Sequence, residues 1–161
     1  SLGLVGSEMC IRDRCCIKTT LARQIANWVI IYSPLQMAAD LIENYEGHPA
    51  FRFFRDFDAD CDWSKALQGE IGDYIVVARR AKDRHFLGAG TDEKARTLVQ
   101  KLDFLEPGVT YTATIYADAP DAGRNPEAYL IGKRAVTARD TIRIEMAERG
   151  GQAITFIPAE K

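Results

Sequence analysis

The sequence predicts an α+β chain, a helix–strand–helix segment over residues 19–57 followed by an all-β antiparallel sandwich. Three observations carry this. Leu21, Ile25, Trp28, Val29 and Tyr32 recur at helical spacing. From Gly69 onward the apolar period drops to two, the repeat of a strand. Beyond that point short apolar runs alternate with turn residues at the spacing of a sandwich.

Each element has a local reason. Thr19 or Thr20 supplies a hydroxyl to cap the first helix. Pro34 stops it, because its ring pushes Ser33 out of the α region. Leu35 to Leu41 is short and mostly apolar, with room for a buried strand. Glu43 to Pro49 is a polar loop, and Ala50 to Phe57 reads as a short helix anchored by Phe51, Phe53, Phe54 and Phe57. In the β half, strands are expected at Tyr74–Ala78, His85–Thr91, Thr110–Ala117, Ala128–Ile131, Thr141–Met146 and Gln152–Ile157, and 97–105 supplies Leu98, Leu102 and Phe104. Glu106-Pro107-Gly108 and Gly150-Gly151 are turns. The apolar surface of the front half exceeds what a sandwich edge covers. Residues 69–158 are therefore expected to fold and 19–57 to be poorly ordered.

Composition excludes several classes. A length of 161 residues sets a one-domain prior, and 47% hydrophobic with 27% charged residues argues against disorder. The net charge of −2 gives no electrostatic footprint for nucleic acid or an anionic membrane surface. No apolar run reaches the length of a membrane span. Leu4 to Arg14 resembles one reading frame of a transposase sequencing-library adapter, so residues 1–17 are read as adapter-derived or junction sequence. That segment holds Cys10, Cys15 and Cys16. It leaves Cys61 alone, with no disulfide or zinc framework.

Few residues suggest chemistry. Asp56, Asp58, Asp60 and Asp62 alternate like a calcium loop, but an EF-hand starting at Asp58 meets Trp63 where glycine is needed and Gly69 where glutamate is needed. His48 and His85 stand beside no nucleophile-elbow pattern. Gly88-Ala89-Gly90 lacks the spacing of a dinucleotide loop. Trp28 falls on the helical stripe and is read as core, and Trp63 as a plug at the domain junction.

Several longer motifs point further. Tyr32-Ser-Pro-Leu-Gln-Met-Ala-Ala-Asp-Leu41 with Glu43-Asn-Tyr-Glu46, then Gly69-Glu-Ile-Gly-Asp-Tyr74, Thr91-Asp-Glu-Lys-Ala-Arg-Thr97 and Gly150-Gly-Gln-Ala-Ile154, resemble glycoside hydrolase family 97 in sequence and in order. The resemblance covers about residues 18 to 158. It implies bacterial α-glucosidases and α-galactosidases built from an N-terminal β-supersandwich, a central (β/α)8 barrel and a C-terminal β-sandwich. Residues 18–62 would then be the last helix–strand–helix of the barrel, with Leu35 to Asp40 as its final strand, and 63–161 the C-terminal domain. The resemblance places the general acid, the base or nucleophile and the calcium-binding glutamates of the parent enzyme upstream, so the fragment alone is expected to be inactive, with no catalytic residue, metal site or cofactor of its own. Active sites of such barrels sit at the C-terminal ends of the strands. Asp40, Glu43, Asn44 and Tyr45 are therefore candidates to line the rim of a sugar site. The expected partners are the missing barrel of the parent chain and, for the parent, an oligosaccharide. The implied location is the periplasm or the exterior.

Two other readings make distinct demands. A carbohydrate-binding module needs exposed coplanar aromatics on one sheet face, for which Tyr74, Tyr111, Tyr116 and Tyr129 are the candidates. A complete small α+β protein needs Trp28, Phe53 and Phe54 buried within this chain.

Overall fold

The computed structural model describes residues 19–35, 37, 45 and 47–159. The expected strand over 35–41 and the segment 1–17 lie outside the described residues, apart from Leu35 and Met37. The β half forms eight antiparallel strands: β1 Trp63–Glu70, β2 Tyr74–Ala81, β3 Arg84–Thr91, β4 Arg96–Lys101, β5 Tyr111–Asp118, β6 Tyr129–Val136, β7 Thr141–Met146 and β8 Gly151–Pro158. Six make one sheet in the order β1-β2-β3-β8-β5-β6, and β4 and β7 make a second.

The two sheets enclose the inner core. Ile142, Ile144 and Met146 of β7 meet Val76, Leu87, Ala89, Tyr111, Ala113, Ile154 and Phe156 of the large sheet. Alternation produces this directly, since β7 buries every second residue. The expected strands are present, with shifted ends. β6 runs on to Val136, because its residues 130–135 are exposed and gave no alternation to read. β1 was not foreseen. It is an edge strand, mostly exposed, with an irregularity between Ala66 and Gln68 that interrupts its period.

The outer face of the large sheet carries the helices. Helix α1 spans Leu21–Ile30, and Thr20 Oγ1 accepts the Arg23 N–H at 3.1 Å as its cap. The helix stops slightly before Pro34, with the Ile31 N–H donating to the Asn27 carbonyl at 2.8 Å. Its buried residues are Ala22, Ile25, Ala26 and Val29. The expected stripe is thus rotated: Leu21 and Trp28 are half-buried and Tyr32 is 59% exposed.

The reason is the surface beneath. A Cβ at Gly88 would lie 2.7 Å from the Ala26 carbonyl oxygen and 2.8 Å from Val29 Cβ, and one at Gly151 would lie 2.7 Å from Arg23 Cα. Bare glycine backbone on β3 and β8 lets the helix settle onto the sheet, with Ala22, Ala26 and Val29 on its buried face.

Helix α2, Phe51–Asp56, completes the outer layer. Phe53 is fully buried, edge-on to Tyr116 of β5 at 5.5 Å, and Phe57 meets Phe86 of β3 at 5.0 Å. Trp28 joins α1 to α2 through Phe54 at 4.5 Å. The expectation that 19–57 lacks a partner is therefore corrected for α1 and α2, which cover the outer sheet face. Phe53 is buried outright, while Trp28 and Phe54 are half-buried. Trp63 sits on β1 with its ring 5.9 Å from that of His85.

This seat yields a direct prediction. Gly88→Ala pushes a methyl group into helix backbone and should destabilise the chain by about 1–3 kcal/mol, the usual cost of overpacking. Gly132→Ala, with nothing within 4 Å of the added atom, should stay within about 0.5 kcal/mol of wild type. Urea midpoints of the two variants decide this.

Candidate functional site

Of the predicted rim residues, Asp40, Glu43 and Asn44 lie outside the described residues. Tyr45 stacks on Phe51 at 5.8 Å and meets the edge of Phe54 at 6.3 Å, so its ring joins the aromatic cluster of α2. His48 follows in the same loop and stacks on Tyr129 of β6 at 5.4 Å. The loop is thereby tied to both the helices and the sandwich.

Two of the quoted motifs converge elsewhere. Arg96 donates to Asp73 Oδ2 at 2.6 Å, to the Asp73 carbonyl at 3.0 Å, to Thr91 Oγ1 at 2.6 Å and to Asp92 Oδ1, and its guanidinium lies over the Tyr74 ring at 5.6 Å. Arg96 holds the Asp92 carboxyl below the usual range, helped by the Lys94 N–H. This clamp fastens the β1–β2 turn to the β3–β4 connection. Beside it lies a groove of about 540 Å3 lined by Arg23, Leu67, Glu70, Asp73, Tyr74 and Thr91.

A second network fixes the N-terminus of α1. Asp118 Oδ2 accepts the N–H groups of Ala147 at 2.9 Å and Gly151 at 3.0 Å. Burial pushes its carboxyl up, opposed by the Thr20 hydroxyl, those N–H groups and Arg23. Arg23 lies in the cradle left by Gly90 and donates to the Thr91 carbonyl at 3.0 Å and to Asn27 Oδ1 at 3.0 Å. Burial lowers its guanidinium, and Asp118 opposes that shift. Sequence reasoning missed both networks. For the second network the signal was the glycines at 90, 150 and 151, which leave room for Arg23 and Asp118; the Arg96 clamp left none in the spacing.

Glycoside hydrolysis needs two carboxylates facing one bond, one of them able to hold a proton. Asp73 and Asp92 instead share one guanidinium, and Asp118 is turned onto backbone N–H groups. The alternating aspartates are engaged too: Asp56 Oδ2 with Arg52 at 3.3 Å, Asp58 Oδ2 with Lys82 Nζ at 2.8 Å, and Asp62 Oδ2 with the Lys82 N–H at 2.9 Å. Each of these three has a carboxylate oxygen on a cation or an amide, and the series as a whole fails the EF-hand pattern. Among the described residues no three His, Cys, Asp or Glu side chains converge as metal ligands, and no helix is long and apolar enough to cross a membrane. The aromatic platform is not formed either. Tyr111 is buried in the inner core and Tyr116 in the outer, while Tyr74 lies beneath Arg96 and Tyr129 against His48.

The chain is thus a two-sheet antiparallel sandwich with two helices seated on the outer face of its larger sheet. Residues 60–157 match the family described as Glycosyl-hydrolase 97 C-terminal, oligomerisation. The chain belongs to glycoside hydrolase family 97, and it holds that family's C-terminal oligomerisation domain. It is 32% identical over 136 residues to a retaining alpha-galactosidase of Bacteroides thetaiotaomicron, covering 84% of this chain and 20% of that protein. It is 45% identical to a glycoside hydrolase family 97 enzyme from Pseudoalteromonas sp. strain K8, with TM-score 0.86, covering 89% of this chain and 23% of that one. A beta-arabinopyranosidase at 22% identity and TM-score 0.65 shares the fold, over 86% of this chain and 21% of its own. The chain thus spans about a fifth of the length of these relatives.

One buried base makes the sandwich sensitive to acid. His85 is 1% exposed among Trp63, Phe104 and Tyr111, and its Nδ1 has no hydrogen-bond partner. Burial lowers its pKa and Arg80 adds to this, against Glu106 and Asp83. The folded state therefore binds this proton less well than the unfolded chain. Its stability contribution is complete above the unfolded value of about 6.5 and falls as the pH drops below it, by at most about 1.4 kcal/mol per pH unit. His85→Leu should flatten that slope. Urea melts of both proteins between neutral and mildly acidic pH measure the difference.

Proposed function

We propose that this chain is the C-terminal part of an α-glycosidase that hydrolyses α-glucosidic or α-galactosidic bonds. Its sandwich serves that enzyme as a structural and oligomerising domain, and the catalytic carboxylates lie upstream. The observation that carries this is the 45% identity across 89% of the chain to a family 97 enzyme. The Bacteroides relative, a retaining alpha-galactosidase, supports the galactoside side of the reading.

The surface around the helices supports the rest. Ile31 is 63% exposed, Leu35 73% and Met37 78%. They follow α1 directly in the chain and leave its C-terminal end apolar and open to water. In the parent enzyme this end packs against the remainder of the barrel, which removes it from water. Asp40 at the end of the last barrel strand, and Glu43, Asn44 and Tyr45 in the loop after it, would then line the rim of the sugar site. Calcium, in this reading, belongs to the parent's upstream glutamates, since no three acidic, His or Cys side chains converge as metal ligands among the described residues. Periplasmic or extracellular placement follows from the family resemblance.

The test is an assay on p-nitrophenyl α-D-galactopyranoside and α-D-glucopyranoside. The 161-residue chain should release no nitrophenol above background, and the longer protein carrying it at its C-terminus should turn over one of the two. Turnover by the isolated chain would place catalytic carboxylates within it and overturn the reading.

A further inference from the structure

The register places three residues of β1 on the outer face of the large sheet, because directly opposed residues of antiparallel strands share a face. Gly88 and Gly90 lie on that face, beneath Ala26 and Arg23 of α1. Val77 opposes both Gly88 and Ala66, and Ile75 opposes both Gly90 and Gly69. Arg79, which donates to the Ile30 carbonyl of α1 at 3.3 Å, opposes Ser64. The outer face of β1 is therefore Ser64, Ala66 and Gly69, all small and all exposed. Ala66 and Gly69 form the floor of the groove of about 540 Å3 beside the Arg96 clamp, with Ile75 and Gly90. Arg23 of α1 makes one wall, and Ile71, fully exposed in the β1–β2 turn, stands at the rim.

The groove continues the helical layer. Ala22, Ile25, Ala26 and Val29 form the buried stripe of α1. At about 100° per residue, Arg23 and Trp28 lie on opposite flanks of that stripe. The Trp28 flank is filled by α2, through Phe54 at 4.5 Å and Phe57 at 6.0 Å. The Arg23 flank borders the groove. From β3 to β1 is two strand spacings, about 10 Å, and helices packed side by side stand about 8–10 Å apart. The open flank thus has the width of one helix. The face of a sheet offers no unpaired N–H or C=O groups, so whatever lies on it must close its own backbone hydrogen bonds, as a helix does.

The length of the relatives says where that helix comes from. The matched family is a C-terminal domain, and the chain spans 20% of one relative and 23% of another. Most of such a protein therefore lies upstream of α1. The chain enters α1 at Thr20, within one turn of Arg23 on the groove wall.

We propose that this groove seats a helix of the parent chain from upstream of α1, lying beside α1 with its apolar stripe on Ala66, Ile71 and Ile75. The proposal rests on the reading of the chain as the C-terminal part of a longer enzyme, and it adds a third helix to the outer layer, on the side of α1 away from α2.

The test compares the Ala66→Cys variant of the 161-residue chain with the same variant of the longer protein that carries the chain at its C-terminus. The rate at which N-ethylmaleimide labels position 66, read at its own peptide by mass spectrometry, should be at least tenfold lower in the longer protein. That protection should persist on dilution to concentrations at which the protein sediments as a monomer. A companion variant, Ala66→Trp, should leave the urea midpoint of the 161-residue chain unchanged and lower the thermal midpoint of the longer protein by several degrees. Equal labelling in both proteins, with the longer one still hydrolysing its nitrophenyl glycoside, would overturn the groove assignment and leave the enzyme reading intact. Protection lost on dilution would place a second copy in the groove and overturn the proposal. Equal labelling in a longer protein that hydrolyses neither glycoside would overturn both.

Discussion

The close approach of α1 to the glycines of β3 and β8 governs the rest of the outer layer. A helix resting on ordinary strand side chains stands well off a sheet. Here Gly88 and Gly151 remove those side chains, and the helix backbone comes down to the strand backbone. That choice dictates the helix's buried face, since Ala22 and Ala26 fit where leucine does not. It also places Trp28 on the flank of the helix, where it meets Phe54 and Phe57 of α2. The aromatic layer is thus a consequence of the glycine seat.

Polar ties then fix the position of the helix along the sheet. Packing of small residues is nearly blind to sliding, because alanine against glycine offers little interlock. Arg23 and Asp118 supply the missing directionality. Arg23 reaches the Thr91 carbonyl through the gap at Gly90, and Asp118 gathers the N–H groups of Ala147 and Gly151 beside the helix cap. Each is half-buried and carries a desolvation cost, visible as a lowered guanidinium and a raised carboxyl. Charges held under such a cost are worth more as locators than as stabilisers.

The fold was largely legible in the sequence, and the reasons are physical. Thr20 before an apolar stripe, Phe-rich α2 and the alternation of β5 and β7 each encode one element through one local rule. β1 escaped because an edge strand exposed on most of its length has no period to read. The exact face of α1 escaped because it depends on a surface more than 60 residues away in the chain, and an isolated helix pattern favours the larger residues. Of the site, the rim residues were chosen by resemblance, and only Tyr45 falls among the described residues. The Arg96 clamp was quoted as motif residues, but nothing in the spacing between Tyr74 and Arg96 says that they touch.

The same packing changes how the domain boundary should be understood. The family resemblance sets a boundary at residue 62, between a helical segment and the sandwich. By packing, α1 and α2 share one core with Phe86, Tyr116 and Ala153 of the large sheet. By packing, then, the two helices are a layer of the sandwich rather than a unit set apart from it.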